Sequence, residues 1–243
     1  MIVGFIPSRI ESKRIFQKPL IKIDGLPIII HTMKRAMLSK KLDDLYVCTN
    51  SQKIADLVKA FGGKYIMTSS KHRNGTERIG EAIKKIKCDY AIDIQGDEPM
   101  VMPNDIDKVV NFHLKNKKFD IVVPYVHTEY KENIHAVKII SNKKGKILYF
   151  SRSLAPYAFR KKNMKLKKHL SIVSFKKNSI LKFISFRPGD LESTEGIELM
   201  RALENNLEVG TFHLKGESMA IDIKKDIFKV KKAMKRDRVR KLY

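Results

Sequence analysis

The sequence predicts an α/β fold with a mostly parallel central sheet covered by helices, together with a smaller β-rich portion. Two observations support this class. Within residues 2–94, four short apolar runs typical of buried strands alternate with three segments whose apolar residues recur at helical spacing. After residue 125, strand-like segments predominate. Strands that alternate with helices favour right-handed crossovers and therefore parallel pairing.

The predicted elements follow one another without an internal repeat or a low-complexity linker. In the first half, the predicted strands are 2–6, 44–49, 64–67 and 90–94, and the predicted helices are 28–38, 52–61 and 77–86. In the second half, we predict helices at 105–114, 194–204 and from about 224, and strands at 121–125, 136–141, 146–150, 170–175 and 219–223. The chain therefore reads as one continuous domain.

Length and composition limit the class of protein. The 243 residues are 43% hydrophobic and 31% charged, which is typical of a globular protein and excludes a disordered one. No apolar run approaches the ~18 residues that span a bilayer. The first seven residues resemble no signal peptide, and Cys48 and Cys88 match no metal spacing. We therefore expect a cytoplasmic protein with reduced core cysteines.

The net charge is +24, from 50 Lys and Arg against 26 Asp and Glu. Such an excess is typical of proteins that bind nucleic acid, anionic membranes or phosphorylated ligands. The lysines are spread along the whole chain, however, so solvated lysine-rich surfaces also explain the composition. Charge alone does not choose between these interpretations.

A polar, basic loop follows the first predicted strand, and it contains Arg9, Lys13, Arg14 and Lys18. Open α/β sheets bind ligands beyond the carboxyl ends of their strands, so this loop lies where a ligand is expected. Its backbone amides and cationic side chains suit a triphosphate. The loop contains no glycine, so it is neither a P-loop nor a dinucleotide fingerprint. An ordinary exposed loop remains the alternative.

Two acids follow the fourth predicted strand in the segment Gln95-Gly96-Asp97-Glu98-Pro99. Carboxylate oxygens at a strand end suit a hard cation, and Asp97 is the better candidate ligand. A turn built from Gly, Asp and Pro explains the same residues without a ligand. Asp222, in the predicted strand 219–223, needs a partner or a metal if it is buried. The alternative is that Asp222 caps the following helix.

The segment from His72 to Arg78 reads HRNGTER and precedes a predicted helix. Thr76 is a candidate N-cap, and the free amides of that helix would then face an anion. The alternative for Arg78 is a local salt bridge to Glu77 or Glu81.

Taken together and in this order, these motifs resemble those of the 3-deoxy-manno-octulosonate cytidylyltransferases, the CMP-Kdo synthetases. The resemblance runs through IPSRIESKRIFQKPL, GGKYIMTSSKHRNGTERIGEA, IQGDEP, AVKII and YFSRS, and more faintly through KHLSI and AIDIKKDI. It covers nearly the whole chain. It implies a Rossmann-like nucleotidyltransferase fold with a nucleotide-binding half at about 1–125, a sugar-binding and dimerisation portion at about 126–215, and a C-terminal strand and helix at 216–243.

The resemblance also implies roles for individual residues. The positions expected to bind the nucleotide are Pro7, Arg9, Ser12, Lys18, Thr76, Arg78, Gln95 and Asp97. Those expected to bind the sugar acid are Arg152, His169, Glu198 and Arg201. Asp97 and Asp222 match the acids that hold Mg²⁺ in the family, and with Arg9 and Lys18 they form the expected catalytic set.

The chain departs from the family pattern at several positions. Gln17 stands where the family typically has glycine, and Val173 replaces a tyrosine associated with the sugar. Arg201 and Ala202 stand where an acid and a glutamine are typical. We therefore expect transfer of CMP from CTP to Kdo or a close relative. The alternative within the class is an 8-amino-Kdo or another higher sugar acid.

The resemblance implies a homodimer and Mg²⁺ as cofactor, with CTP and a 2-keto-3-deoxy sugar acid as substrates. An alternative of another class comes from the basic residues of 224–243, where Ile227, Val230 and Met234 recur at helical spacing. Such a helix either lies on an anionic membrane or docks its apolar face on the core. No basic strand interleaved with aromatic residues occurs, so we expect no nucleic-acid partner.

Overall fold

The computed structural model describes residues 1–11, 15–160, 164–216 and 219–243. The strands of this part of the chain are β1 (Ile2–Ser8), β2 (Lys22–Ile23), β3 (Leu26–Pro27), β4 (Asp44–Thr49), β5 (Lys64–Met67), β6 (Tyr90–Ile94), β7 (Ile121–Val122), β8 (Tyr125–Thr128), β9 (Lys138–Ser141), β10 (Ile147–Ser151), β11 (Leu166–His169), β12 (Ile172–Lys176) and β13 (Val209–Gly210). The α-helices are α1 (Ile28–Met37), α2 (Gln52–Ala60), α3 (Gly75–Ala82), α4 (Pro103–Lys115), α5 (Lys177–Ser185), α6 (Asp190–Glu195), α7 (Met200–Glu204) and α8 (Lys224–Met234).

The central sheet has seven strands in the order β13-β7-β12-β6-β1-β4-β5. Strand β1 lies between β4 and β6 and pairs with both in parallel, and β5 extends the parallel arrangement. Strand β12 runs antiparallel to both of its neighbours. The predicted α/β class and the mostly parallel sheet are therefore confirmed.

Each strand near the centre of this sheet contributes to cores on both faces. Along β1, Phe5 belongs to one hydrophobic cluster and Ile6 to the other, because successive side chains point to opposite faces. Cys48 and Val47 divide in the same way on β4. Burial on both faces explains why the sequences of these strands are nearly continuous apolar runs.

Both cysteines are buried and unpaired, as predicted, and burial raises the pKa of each thiol.

A second, antiparallel sheet of four strands, in the order β10-β9-β11-β8, forms the predicted β-rich portion. After β11, the last strand of this sheet in sequence, the chain returns to the central sheet as β12 and later as β13. The central sheet is therefore built from segments on both sides of residue 125.

Three predicted elements differ in the structure. The strand expected at 121–125 is divided between the two sheets at Val123-Pro124, because proline has no amide hydrogen for a ladder. The helix expected at 194–204 is broken at Gly196, whose φ of 61° lies in the left-handed region and ends α6. Residues 219–223 form no strand, so the predicted C-terminal strand is wrong. The amide of Ile221 makes a single backbone hydrogen bond, to the carbonyl of Asp97, instead of a ladder.

Helix α8 packs its apolar face on the core. Val230 and Met234 are buried in a cluster with Ile15, Ile28 and Ile221. The apolar side chains at helical spacing in this segment are therefore buried against the core, as expected if the helix docks its apolar face there. No helix among the described residues has both the length and the hydropathy to cross a bilayer.

Candidate active site

A cavity of about 350 Å³ lies beyond the carboxyl ends of β1 and β6, beside the N-terminus of α3. It is where ligands of open α/β sheets are expected. Its lining residues are Pro7, Ser8, Arg9, Glu11, Lys18, Pro19, Ile28, His72, Asn74, Gly75, Arg78, Gln95, Gly96 and Asp97. Six of the eight residues predicted to bind the nucleotide are among them. Of the other two, Ser12 lies outside the described residues, and Thr76 faces elsewhere.

Lys18 and Asp97 are paired in this cavity. The Lys18 Nζ donates to Asp97 Oδ2 at 2.5 Å and to the carbonyl of Ile221 at 2.9 Å. The Lys18 side chain is 14% exposed and that of Asp97 is 30% exposed, so both remain accessible from the cavity. The pair places a cation and a carboxylate at one point of the site.

The turn before Lys18 has a conformation that favours glycine. Gln17 has φ 48° and ψ 38°, in the left-handed region, and a single 3₁₀ turn follows at Lys18–Leu20. The family typically has glycine at this position, so the chain keeps the backbone shape while using a residue that is strained in it. This turn brings Lys18 to Asp97.

The segment after β6 separates its two acids. A Cβ on Gly96 would lie 2.8 Å from the carbonyl oxygen of Pro7, so glycine is needed for this close approach of two loops. Asp97 faces the cavity, whereas Glu98 is buried, and burial raises the pKa of Glu98 to about 7. Of the two acids, Asp97 is therefore the one that lines the cavity, and its role as a ligand stays a prediction.

The start of α3 differs from the prediction in its cap. The side chain of Asn74, not Thr76, accepts a hydrogen bond from the Glu77 amide at 2.9 Å and caps the helix. Thr76 Oγ1 instead donates to Glu198 Oε1 at 2.8 Å. Glu198 Oε2 is buried with no hydrogen-bond partner among the residues that the structure describes, and burial raises the pKa of this carboxyl to about 6.

Arg78 is held by neutral oxygens. Its guanidinium donates to Thr68 Oγ1 at 2.5 Å and to the carbonyl of Ser69 at 3.3 Å. The described residues provide no salt bridge from Arg78 to Glu77 or Glu81, so that alternative is wrong. Burial and the nearby Arg9 charge lower the pKa of Arg78. A buried cation on the cavity wall with no carboxylate partner in the described part of the chain suits an anionic ligand.

The residue before Asp222 contacts Asp97 through the backbone. The Ile221 amide donates to the Asp97 carbonyl at 3.0 Å, but Asp222 itself is not among the residues that line the cavity. Ile223, not Asp222, occupies the N-cap position of α8, and Asp226 accepts hydrogen bonds from the amides of Asp222 and Ile223. The described residues contain no cluster of three or more His, Cys, Asp or Glu arranged for a metal.

Arg152 lies against the second sheet, away from this cavity. Its guanidinium donates to the carbonyls of Ile134, Glu195 and Gly196 at 2.8–3.0 Å. His169 ends β11, and burial lowers the pKa of its imidazole to about 4. Neither lines the cavity that holds Lys18 and Asp97, and their role in binding a sugar stays a prediction.

Arg201 is buried among acids. Its guanidinium makes two hydrogen bonds of 2.6 Å to the carboxylate of Glu192 and one of 3.3 Å to Glu77. It also lies over the ring of Phe183, 4.8 Å from the centroid. Ala202 is part of the core. In this arrangement Arg201 joins helices α3, α6 and α7.

Val173 pairs with Asp93 across β12 and β6. Asp93 belongs to none of the motifs that predict the site, although it stands in the apolar strand two residues before Gln95. Asp93 is 1% exposed, and burial together with the nearby Glu198 carboxyl raises its pKa well above the ordinary value.

His72 and Asn74 also line the cavity, although the sequence predicted no ligand role for them. The feature that could have indicated them is their place in the HRNGTER segment.

Comparisons with known proteins agree with this geometry. A family model described as Cytidylyltransferase matches residues 3–217. A 3-deoxy-manno-octulosonate cytidylyltransferase of Rickettsia canadensis is 38% identical over 235 residues, covering 94% of this chain and 93% of the relative. The chain belongs to the 3-deoxy-manno-octulosonate cytidylyltransferase family. The protein of the same name from Chloroherpeton thalassium is 33% identical over 232 residues, covering 93% and 94% of the two chains.

This cytidylyltransferase also matches a solved structure along nearly its whole length. The structure, of CMP:2-keto-3-deoxy-manno-octonic acid synthetase complexed with CTP, superposes with a TM-score of 0.92 at 28% identity, covering 97% of this chain and 98% of the other. The resemblance inferred from the motifs is therefore confirmed. A cytidylyltransferase from Leptospira borgpetersenii, 15% identical with a TM-score of 0.67 over 97% of this chain and 87% of the other, shares the fold.

Proposed function

We propose that this cytidylyltransferase transfers CMP from CTP to the anomeric hydroxyl of 3-deoxy-manno-octulosonate and releases pyrophosphate. The observation that best supports this proposal is the ion pair between Lys18 and Asp97, which lies in a cavity at the carboxyl ends of β1 and β6. Kdo is the favoured sugar acid because the named relatives that cover this chain almost completely carry it in their names.

The nucleotide would bind in this cavity, with its triphosphate along the loop of Arg9 and Lys18. In-line displacement at the α-phosphorus needs positioned groups and charge neutralisation more than a covalent nucleophile. Lys18 and Arg9 would stabilise the charge that develops on the leaving pyrophosphate. The ion pair with Asp97 keeps the Lys18 ammonium at the correct place before the substrate enters.

The residues fit Mg²⁺. Magnesium is commonly held by one or two carboxylates together with substrate phosphates and water, so it does not need a larger protein cluster. Asp97 presents a carboxylate to the cavity, and Asp222 follows Ile221, whose amide donates to the Asp97 carbonyl. We propose that these two acids hold the cation. When bound, it would polarise the α-phosphate and lower the pKa of the attacking hydroxyl.

We further propose that the protein is a cytoplasmic homodimer, that the portion at 126–215 provides both the sugar site and the dimer contact, and that the product serves lipopolysaccharide synthesis. The resemblance to the family supports these assignments. Arg152 would pair with the sugar carboxylate, because its guanidinium has only neutral carbonyl partners among the described residues.

The test is pyrophosphate release from CTP and Mg²⁺ with Kdo, 8-amino-Kdo and neuraminic acid as separate acceptors. We expect turnover with Kdo, its loss with EDTA and its recovery with added Mg²⁺. The Asp97→Asn variant should lose at least ~100-fold in turnover, because asparagine lacks the negative charge with which Asp97 would bind Mg²⁺. Asp105→Asn is the matched control, since Asp105 is a buried acid of α4 outside the cavity. Near-normal turnover of Asp97→Asn in Mg²⁺ would contradict the assignment.

A further inference from the structure

Asp93 makes a directed contact with a residue of the nucleotide cavity. The Gln95 Nε2 donates to Asp93 Oδ1 at 3.0 Å and to Asp93 Oδ2 at 2.9 Å. The neighbours of Asp93 along β6 are the buried Ile92 and Ile94. Burying an acid among apolar side chains lowers the stability of the folded state, so an apolar residue would be expected at position 93. The structure shows a specific use for the acid: it holds the amide of Gln95.

This contact sets the direction of the Gln95 amide. The amide group is planar, with its nitrogen and oxygen at opposite sides, so a nitrogen that faces Asp93 turns Oε1 away from it. Gln95 lines the cavity, and a Cβ on Gly75 would lie only 3.5 Å from Nε2. The nitrogen is therefore enclosed between Asp93 and the start of α3. No donor among the described residues reaches Oε1.

We propose that Asp93 is a positioning residue that fixes the Gln95 amide so that its Oε1 accepts a hydrogen bond from the nucleoside part of CTP. The donor is either the amino group of cytosine or a ribose hydroxyl, which offer the same chemistry to a carbonyl oxygen. The inference rests on the proposed function, because it requires CTP to bind in this cavity. Asp93 itself acts only through Gln95.

The test is a double-variant cycle on the kinetics of pyrophosphate release. Asp93→Ala should raise the KM for CTP about 5- to 10-fold, the size expected for one lost hydrogen bond, and leave the KM for the sugar acid unchanged. Asp93→Asn keeps a carbonyl acceptor for Nε2 and should stay within about twofold of the wild type. In the Gln95→Ala background, Asp93→Ala should change the KM by less than about twofold.

Three further measurements make the result decisive. Asp105→Ala removes another buried acid and should leave the KM for CTP unchanged. If the donor is the cytosine amino group, Asp93→Ala lowers the preference for CTP over UTP. If the donor is the ribose 2′-hydroxyl, the penalty disappears with 2′-deoxy-CTP. Either result supports the inference and identifies the donor.

Additive penalties in the double variant would overturn the inference. So would equal increases in KM for both substrates with a lowered melting temperature, which indicate a purely structural role. A wild-type protein that releases no pyrophosphate would instead refute the proposed function. The two failures are thus distinguishable.

Discussion

Lys18 donates to Asp97 across the cavity at 2.5 Å, although the two residues are 79 positions apart in the chain. One comes from the loop after β1 and the other from the turn after β6, two adjacent parallel strands. The same ammonium also binds the carbonyl of Ile221, from the segment before α8. Three separate parts of the sequence therefore converge on one side chain.

Replacing Lys18 by methionine should lower turnover about 100-fold, because the charge on the leaving pyrophosphate loses a cationic partner. Stability should change by less than about 1 kcal/mol, since both side chains are partly exposed to water. Pyrophosphate release and urea denaturation measure the two effects. Lys22→Met, at the exposed position of β2, is the control and should behave as wild type in both assays.

Gln17→Gly should increase the free energy of unfolding by about 0.5 kcal/mol. Glycine removes the cost of about 1 kcal/mol for a side chain in the left-handed region, and its larger entropy in the unfolded chain offsets part of the gain. Chemical denaturation of the two proteins tests this. Gln17→Val should be destabilised, because a β-branched residue is disfavoured there. A Gln17→Gly variant less stable than Gln17→Val would contradict the explanation from backbone strain.

Arg201→Met should destabilise the protein by about 3 kcal/mol. The change removes the buried cation that pairs with the carboxylates of Glu192 and Glu77. The methionine side chain can still pack over the Phe183 ring, which offsets only part of this loss. The KM for the sugar acid, measured at a temperature where the variant is folded, should remain unchanged. A raised KM with unchanged stability would show that Arg201 binds the sugar instead.

Glu198 should make stability depend on pH between about 4.5 and 6. Burial raises the pKa of this carboxyl from 4.5 to about 6, so the folded state favours the protonated form. The contribution of the protonated Glu198 carboxyl to the free energy of unfolding is fully present below pH 4.5, and it is lost as the pH rises through 6. Glu198→Gln should therefore gain about 1–2 kcal/mol relative to wild type between pH 4 and pH 7. Unfolding curves at both pH values test this, and the exposed Glu129→Gln should show no such gain.

The sequence predicted the frame of the site because the relevant signals are local. The strands around β1 have apolar runs long enough to identify, and the carboxyl ends of parallel strands must meet at one edge. Lys18 and Asp97 could therefore be placed near each other before their contact was seen. Gln17 was noticed as a departure from the family, and its left-handed backbone explains why glycine is typical there.

Other features depend on contacts between distant segments. Strand β11 was missed because LKKH is mostly charged, and it forms through pairing with β8 and β9. The role of Arg201 among Glu192 and Glu77 depends on how three helices meet. The contact of Asp93 with Gln95 lies within one strand end, but an acid in an apolar run gives no sign of its partner.

The hydrogen bond between Ile221 and Asp97 also joins the last part of the chain to a much earlier one. Synthesis proceeds from the N-terminus, so the segments of β1 and β6 are made long before residue 221. The carbonyl that holds Lys18 and the acid at 222 arrive only with the last segment. The contacts of the Lys18 ammonium in the cavity are therefore complete only after the segment before α8 has been synthesised.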